Sequence, residues 1–373
     1  MNKSGCLIIS TESDYHACAV RFSIRAAGGT CEIVDTTKLL HLESPEVHIS
    51  ISDGSLKLSG GILAARRKSI WARRMLKLKN MNGVAREYAG YIRNESSEFE
   101  INVFRALELD ERIQWVNKIS SVIASEIKSQ QLAVAARCGL RIPETLITAD
   151  PILVRRFVER HGQVVIKPFN PYSWLDKSIA KKWTTFANLV DAEQLDHCTD
   201  QEIGTAPCIY QEYLSTVADI RVGVIGEKIF ALSMRHKVAG KIDFRTMEEN
   251  ELSYERCSVP GDIEIGLKRT MRELDVDVAS ADFVIGSDGE WRFIELNPSG
   301  AFLFLENRCP DIKILSAAAS LLCYGGVVDR YDEEFPSLGD FVGSADHARW
   351  AEEFEAFNRN NRAGKNITYL GDL

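Results

Sequence analysis

The stretch "ADFVIGSDGEWRFIELNPSG", residues 281–300, constrains this chain most, because it puts polar residues where a strand should be packing a core. Asp288-Gly289 signals a two-residue hairpin turn, since a type I′ turn needs φ > 0 at both central positions. With those two at the turn, Ser287 pairs with Glu290, Phe283 with Ile294 and Asp282 with Glu295. Opposed residues point to one face, with Cβ atoms roughly 5 Å apart. Asn297 shares that face by the strand period of two. Pro298 ends the strand, because it has no N–H for the ladder. Two carboxylates and an amide oxygen therefore converge.

Like charges directly opposite each other are destabilising. A hard divalent cation with oxygen ligands removes the conflict, and Mg²⁺ typically takes one or two carboxylates and completes its shell with phosphate oxygens and water. Asp282, Glu295 and Asn297 are accordingly the candidate metal ligands of a Mg²⁺–phosphate site. A solvated hairpin is the plain alternative. Phe283, Val284, Ile285, Phe293 and Ile294 are apolar on both faces of the hairpin, which favours burial.

A chain of 373 residues suggests two or three domains, and 45% hydrophobic content is ample for their cores. No apolar run is long enough to span a bilayer. The opening "MNKSGCLIIS" reads as a first strand rather than a signal peptide. A net charge of −8 weighs against nucleic acid and anionic membranes as partners and is compatible with a basic peptide. The nine cysteines are scattered, with no CxxC pair, which predicts a reduced, cytoplasmic setting. The seven histidines show no zinc spacing, and no Ser/His/Asp or Cys/His nucleophile stands out.

Along the chain, "CLIIS" and "TCEIVD" read as strands flanking a helix with Ala17, Val20, Ile24 and Ala27 on one face, a parallel βαβ unit. A hairpin turning at Asp53-Gly54, a strand "KSIWARR" and a helix from Gly83 to about Asp110 follow, without a GxGxxG fingerprint. The middle opens with a helix over 124–138. Asp150 caps a helix with Pro151 at its first position, and "QVVIKPF" is a strand ending in Lys167. Three strands come after Pro207, the last two paired through Gly226, and then a helix with Ile263, Leu267 and Met271 inward. The hairpin at 281–300 is next, followed by a helix over 311–323 and a charged tail. Two lysines, a strand "IYQEYL" and a metal hairpin, in that order, suit a triphosphate, whose charge must be neutralised before phosphoryl transfer.

Here the chain resembles the ATP-grasp superfamily, and within it the peptide macrocyclases that make microviridin-type graspetides. "ELNPSG", "QEYL" and "DIR" carry the superfamily resemblance. "TLITADP" and "DFR" point to the macrocyclase branch. The resemblance implies an α/β chain with the ATP-grasp fold. Its parts would be an N-terminal pre-ATP-grasp βαβ domain (1–120), a central α+β subdomain (121–206), a C-terminal antiparallel-sheet subdomain (207–330) and a tail (331–373). It implies ATP and Mg²⁺ as cofactors, with Lys128 and Lys167 on the phosphates and Gln211, Glu212, Tyr213 and Leu214 as the hinge facing adenine. Asp219, Arg221, Asp243 and Arg245 fall in "DIR" and "DFR", and Arg221 and Arg245 suit a reacting carboxylate or acyl phosphate. "KPFNPYSWLDKSIAKKW" departs from many relatives in lacking glycine, so Lys177, Lys181 or Lys182 would cover the phosphates, or the loop would close on ligand. "WARR" reads as a structural or interface motif.

The activity implied is ATP-dependent macrocyclisation of a ribosomally made precursor peptide through an acyl phosphate, giving ω-ester or ω-amide links. The alternatives are a ligase adding amino acids to a peptide end and a non-catalytic nucleotide-binding regulator. A homodimer is expected from the resemblance. The acids Glu248, Glu249 and Glu251 are the candidate grip on a basic leader segment, by charge steering.

Overall fold

The computed structural model describes residues 5–35, 48–53, 55–59, 69–74, 86–169, 173–176, 181–185, 187–236 and 252–362. The chain starts with β1 (Gly5–Ser10), α1 (Tyr15–Ala26) and β2 (Thr30–Asp35). Asp14 opens α1 by accepting from the Ala17 amide, the side-chain cap that leaves one fewer orphan N–H at the helix start. β1 and β2 run parallel in register. After the β3 (His48–Ser52) and β4 (Ser55–Ser59) hairpin, β5 (Ser69–Ala72) pairs parallel with β1. α2 (Ala89–Glu108) leads to β6 (Gln114–Trp115), so the sheet order is β2-β1-β5-β6.

The expected helix over 124–138 divides in two. α3 (Ile119–Ser125) stops, Ile127 is extended at φ −71° and ψ 107°, and α4 (Lys128–Arg137) starts afresh. The break makes Lys128 the first residue of its helix. A second, antiparallel sheet follows, β11-β8-β12-β7. The segment that supplies it runs β7 (Thr145–Thr148), α5 (Pro151–His161), β8 (Gln163–Lys167), β9 (Ser173–Asp176), β10 (Lys181–Thr184), β11 (Asn188–Asp191), α6 (Ala192–Asp196), α7 (Asp200–Ile203) and β12 (Cys208–Glu212), with β9 and β10 pairing apart as a two-stranded sheet. Asp150 caps α5 through the amides of Ile152 and Leu153, with Pro151 at the first turn, as its sequence predicts. Val154, Phe157 and Val158 of α5 pack on Val164 and Tyr210. By the period of two, that turns Val165, Lys167, Ile209 and Gln211 to the other face. The glycine-free segment after Lys167 contains the β9–β10 hairpin, which pairs Trp174 with Trp183.

The third sheet, β15-β14-β13-β16-β17, is antiparallel throughout. It comprises β13 (Thr216–Ile225), β14 (Lys228–His236), β15 (Leu252–Cys257), then α8 (Gly261–Glu273), β16 (Val278–Gly286) and β17 (Trp291–Asn297). One face carries Ile220, Val222, Ala281, Phe283, Phe293 and Leu296 against Leu132 of α4 and Leu267 of α8. The hairpin turn differs from its expected form. Gly286 N–H donates to Glu290 and Gly289 N–H to Gly286, so the loop has three residues, with Gly289 alone at positive φ (+79°). This is a type I turn closed by a left-handed glycine. Phe283 therefore faces Phe293, not Ile294. A bulge between Asp282 and Phe283 then absorbs Ile294, and Asp282 opposes Glu295 as expected. The extra residue lets Phe293 and Leu296, three apart, both point into the core.

The chain continues as α9 (Leu303–Arg308), α10 (Ile314–Tyr324), α11 (Tyr331–Glu334), α12 (Leu338–Val342) and α13 (Ala345–Arg362). Residues after 330 return to the N-terminal unit: Trp350 donates to the Ser13 carbonyl at 3.0 Å and Ser23 to that of Pro336 at 2.8 Å. α10 also covers the lower half of the third sheet. There a Cβ on Gly223 would lie 2.5 Å from Ile314 Cδ1 and 3.4 Å from Leu305. Ile314 and Leu305 are fully buried, so neither has room to yield. Gly223→Val should cost about 1–3 kcal/mol by overpacking. The check is a denaturant midpoint, and an unchanged midpoint would mean that α10 does not seal this face.

Candidate functional site

A cavity of about 520 Å³ lies between the second and third sheets. Its wall on the second sheet is the face opposite α5. There Lys167 Nζ donates to Gln211 Oε1 at 2.6 Å, and Gln211 Nε2 donates to Thr145 Oγ1 at 3.0 Å. Gln211 is 3% exposed. Its amide thus holds the lysine head over the cavity, anchored in turn on Thr145. Tyr213 and Leu214, in the connection between β12 and β13, line the edge of the cavity together with Glu212. The Glu212 carboxylate itself accepts from the Glu144 amide at 3.1 Å, so that side chain braces the connection.

The opposite wall is a row of charge. Arg221 on β13 is level with Asp282 on β16, and Asp282 with Glu295 on β17. Arg221 Nε lies 2.8 Å from Asp282 Oδ1, and Lys128 Nζ lies 2.6 Å from Glu295 Oε2. Asn297 Nδ2 donates to Glu295 Oε1 at 3.0 Å. Burial drives the Asp282 carboxyl up to about 7; Arg221 offsets this in part, and Glu295 opposite adds to the rise. Burial also works to raise Glu295, but Lys128, Asn297 and Lys167 together outweigh it and hold this carboxyl at about 2. The two facing acids are thus split, one ionised and one near neutral pH.

Apart from Lys181 and Lys182, which fall on β10, the described residues assigned to the site from sequence line this one cavity. Lys128, Lys167 and Gln211 do so beside Glu212, Tyr213 and Leu214, and so do Asp219, Arg221, Asp282, Glu295 and Asn297. Asp243, Arg245, Glu248, Glu249 and Glu251 lie outside the described residues, as does Lys177. Among the described residues no cluster of three or more His, Cys, Asp or Glu side chains forms a metal site. The candidate donor set is instead two carboxylates and an amide, all hard oxygen donors on one face, which suits Mg²⁺. A cation there would also relieve the opposition that raises Asp282.

Sequence reasoning missed Gln131, Phe169 and Met234, which also line the cavity. Gln131 was within reach, because it stands three residues after Lys128 and so shares its helix face. The "WARR" motif is closer to the site than its sequence suggests. Buried Arg73 donates from Nη1 to the carbonyl of Ser299, two residues past Asn297, and its Nε lies 3.8 Å from Asp14. The motif ties the N-terminal sheet to the end of the β16–β17 hairpin.

The split acids predict opposite pH effects on the metal-free protein. Asp282 holds its proton to about 7 when folded, against 3.8 ordinarily. Its contribution to stability is present below about 3.8 and is lost as pH rises through about 7. Glu295 contributes above 4.5, and that is lost as pH falls towards about 2. With a chelator present, Asp282→Asn should gain in melting temperature relative to wild type between pH 5 and 7.5. A constant difference across that range would contradict the raised carboxyl.

No protein-family model and no curated protein matches this sequence. Solved structures do. A RiPP-associated ATP-grasp ligase of Chryseobacterium gregarium, in complex with ADP and a leader and core peptide, superposes with a TM-score of 0.71 at 21% identity, covering 87% of this chain and 98% of that one. The macrocyclase MdnC from Microcystis aeruginosa MRC, bound with precursor peptide MdnA, gives 0.69 at 22% identity over 86% of this chain and all of the other. The ATP-grasp ligase PsnB, complexed with a phosphomimetic variant of minimal precursor, Mg and ADP, gives 0.67 at 22% identity over 86% and 98%. The chain thus has the mixed α/β fold of the ATP-grasp ligases, over nearly the full length of each.

Proposed function

We propose that this protein is an ATP- and Mg²⁺-dependent peptide ligase that joins side chains of a ribosomally made precursor into ω-ester or ω-amide rings. One observation carries the reading: Lys128, Lys167, Arg221, Asp282, Glu295 and Asn297, assigned to nucleotide, metal and acyl group from sequence, line a single cavity between two antiparallel sheets. Fold likeness to ligases solved with ADP, Mg and precursor peptides supports it.

Each wall has a chemical task. Lys167 and Lys128 neutralise a triphosphate, and Lys128 would trade Glu295 for phosphate as the nucleotide enters. Asp282, Glu295 and Asn297 would hold Mg²⁺, which when bound draws charge from the phosphate oxygens. Backbone groups of Glu212, Tyr213 and Leu214 face the base. Arg221 stands level with the acids and is suited to a carboxylate by paired hydrogen bonds. A side-chain carboxylate of the peptide attacks the γ-phosphorus, the bond to the β-phosphate oxygen breaks, and ADP leaves. A hydroxyl or amine of the same peptide then attacks the acyl carbon, loses its proton to solvent, and expels phosphate. Nothing in this sequence of steps requires a covalent enzyme intermediate. Positioning and charge neutralisation supply the rate.

Two outcomes follow. Lys167→Ala should weaken ADP binding by about tenfold or more, since an ion facing phosphate in a closed site acts at reduced dielectric; equal binding would make Lys167 a strand-end charge held by Gln211. Incubation with ATP, Mg²⁺ and a peptide encoded beside this gene should release ADP and lower the peptide mass by one water per ring. A mass increase equal to an amino-acid residue would instead mark a ligase that extends peptide ends. Absence of ATP turnover with any such peptide would favour a nucleotide-binding regulator.

A further inference from the structure

Gln131 has no role in the chemistry above, yet it is 1% exposed. Both of its amide atoms are engaged. Nε2 donates to the Leu296 carbonyl at 2.7 Å and to the carbonyl of Ser125, and Oε1 accepts from the Leu296 amide at 3.0 Å. Leu296 lies on β17, an outer strand of the third sheet. Its N–H and C=O would otherwise be an unpaired edge. The Gln131 side chain meets them as a peptide unit of a further strand would. The residues on either side of Leu296 are Glu295 and Asn297, two of the three metal-ligand candidates. Gln131 stands on α4, one turn after Lys128. The Ser125 carbonyl closes the preceding helix, so the same amide also spans the break that makes Lys128 the start of α4.

We infer that Gln131 is a positioning residue: it fixes α4 on β17 so that Lys128 and the Glu295/Asn297 pair keep their mutual geometry for Mg²⁺ and nucleotide. The inference rests on the nucleotide reading of the cavity and goes beyond it. A plain structural role would give the core a satisfied glutamine and leave metal affinity untouched once the protein is folded. A positioning role makes affinity depend on the clamp, as partners that orient metal ligands generally do.

The test is calorimetric binding of ADP at a series of Mg²⁺ concentrations. It uses wild type, Gln131→Glu, Gln131→Met, Lys128→Met and the double variant Lys128→Met/Gln131→Met. Gln131→Glu keeps volume and an acceptor for the Leu296 amide but sets a carboxylate against two carbonyls, whereas Gln131→Met keeps volume without a charge. Each variant is therefore read where its unfolding transition shows it folded, and one stands in for the other. The Mg²⁺ concentration giving half-maximal ADP binding should rise on the order of tenfold in either Gln131 variant. Excess Mg²⁺ should restore most of the ADP affinity. The double variant should lose less than the sum of the single losses, because both act on one contact. Wild-type half-saturation in whichever Gln131 variant folds, or strict additivity with Lys128→Met, would overturn the inference. Failure of wild type to bind ADP would instead overturn the nucleotide reading, which separates the two.

Discussion

The row Arg221–Asp282–Glu295–Lys128 is the constraint on which the rest of the structure depends. Two carboxylates on neighbouring strands repel, and the third sheet tolerates them because a cation closes each end of the row at 2.6–2.8 Å. Three of the four come from strand register alone. The fourth needs a helix that begins at the right point, and the break at Ile127 provides it. A lysine at a helix N-terminus is itself unfavourable beside the positive end of the helix dipole. Glu295 offsets that cost. The row is therefore a closed arrangement whose two cations, in the proposed reading, stand where phosphate charge would arrive.

The same logic explains why the hairpin is irregular. A regular strand alternates sides at every residue. Phe293 and Leu296 both belong to the core, at 0% exposure, with Glu295 and Asn297 on the cavity side. A spacing of three between inward positions requires one bulge, and Ile294 is the residue absorbed. The third sheet thus keeps an apolar face for α4 and α8 and a charged face for the cavity. The second sheet divides in the same way, with Val164 and Tyr210 against α5 and Lys167 and Gln211 towards the cavity.

Much of this was legible in the sequence. The parallel βαβ start, the Asp150-Pro151 helix, the strand ending in Lys167 and the opposition of Asp282 and Glu295 all follow from local rules. Turn chemistry was less so. Asp288-Gly289 satisfies a two-residue turn and equally a three-residue loop with one left-handed glycine, and the hydrogen bonds of Gly286 decide between them. The Asp282–Glu295 pairing survives because the loop and the bulge compensate. The helix break before Lys128 was illegible, because "ASEIKSQQ" has no proline or glycine and the Ser125 carbonyl at the stop is met by the Gln131 side chain of the next helix. Helix spacing puts Gln131 beside Lys128, but what Gln131 and Arg73 bind was hidden for a related reason. Their partners are backbone carbonyls and amides far along the chain, at Ser299 and Leu296, and no spacing pattern reveals a side chain paired to a distant backbone.

The most direct measurement is calorimetric titration of ADP into wild type and Glu295→Gln, each with Mg²⁺ and with a chelator. If the row holds a nucleotide through a divalent cation, wild type binds ADP much more tightly with Mg²⁺ than without it. Folded Glu295→Gln, with one acidic ligand gone and Lys128 released, loses that difference. Wild-type affinity that ignores Mg²⁺, or a variant that keeps the full Mg²⁺ effect, would contradict the assignment of Asp282, Glu295 and Asn297 as the metal–phosphate site.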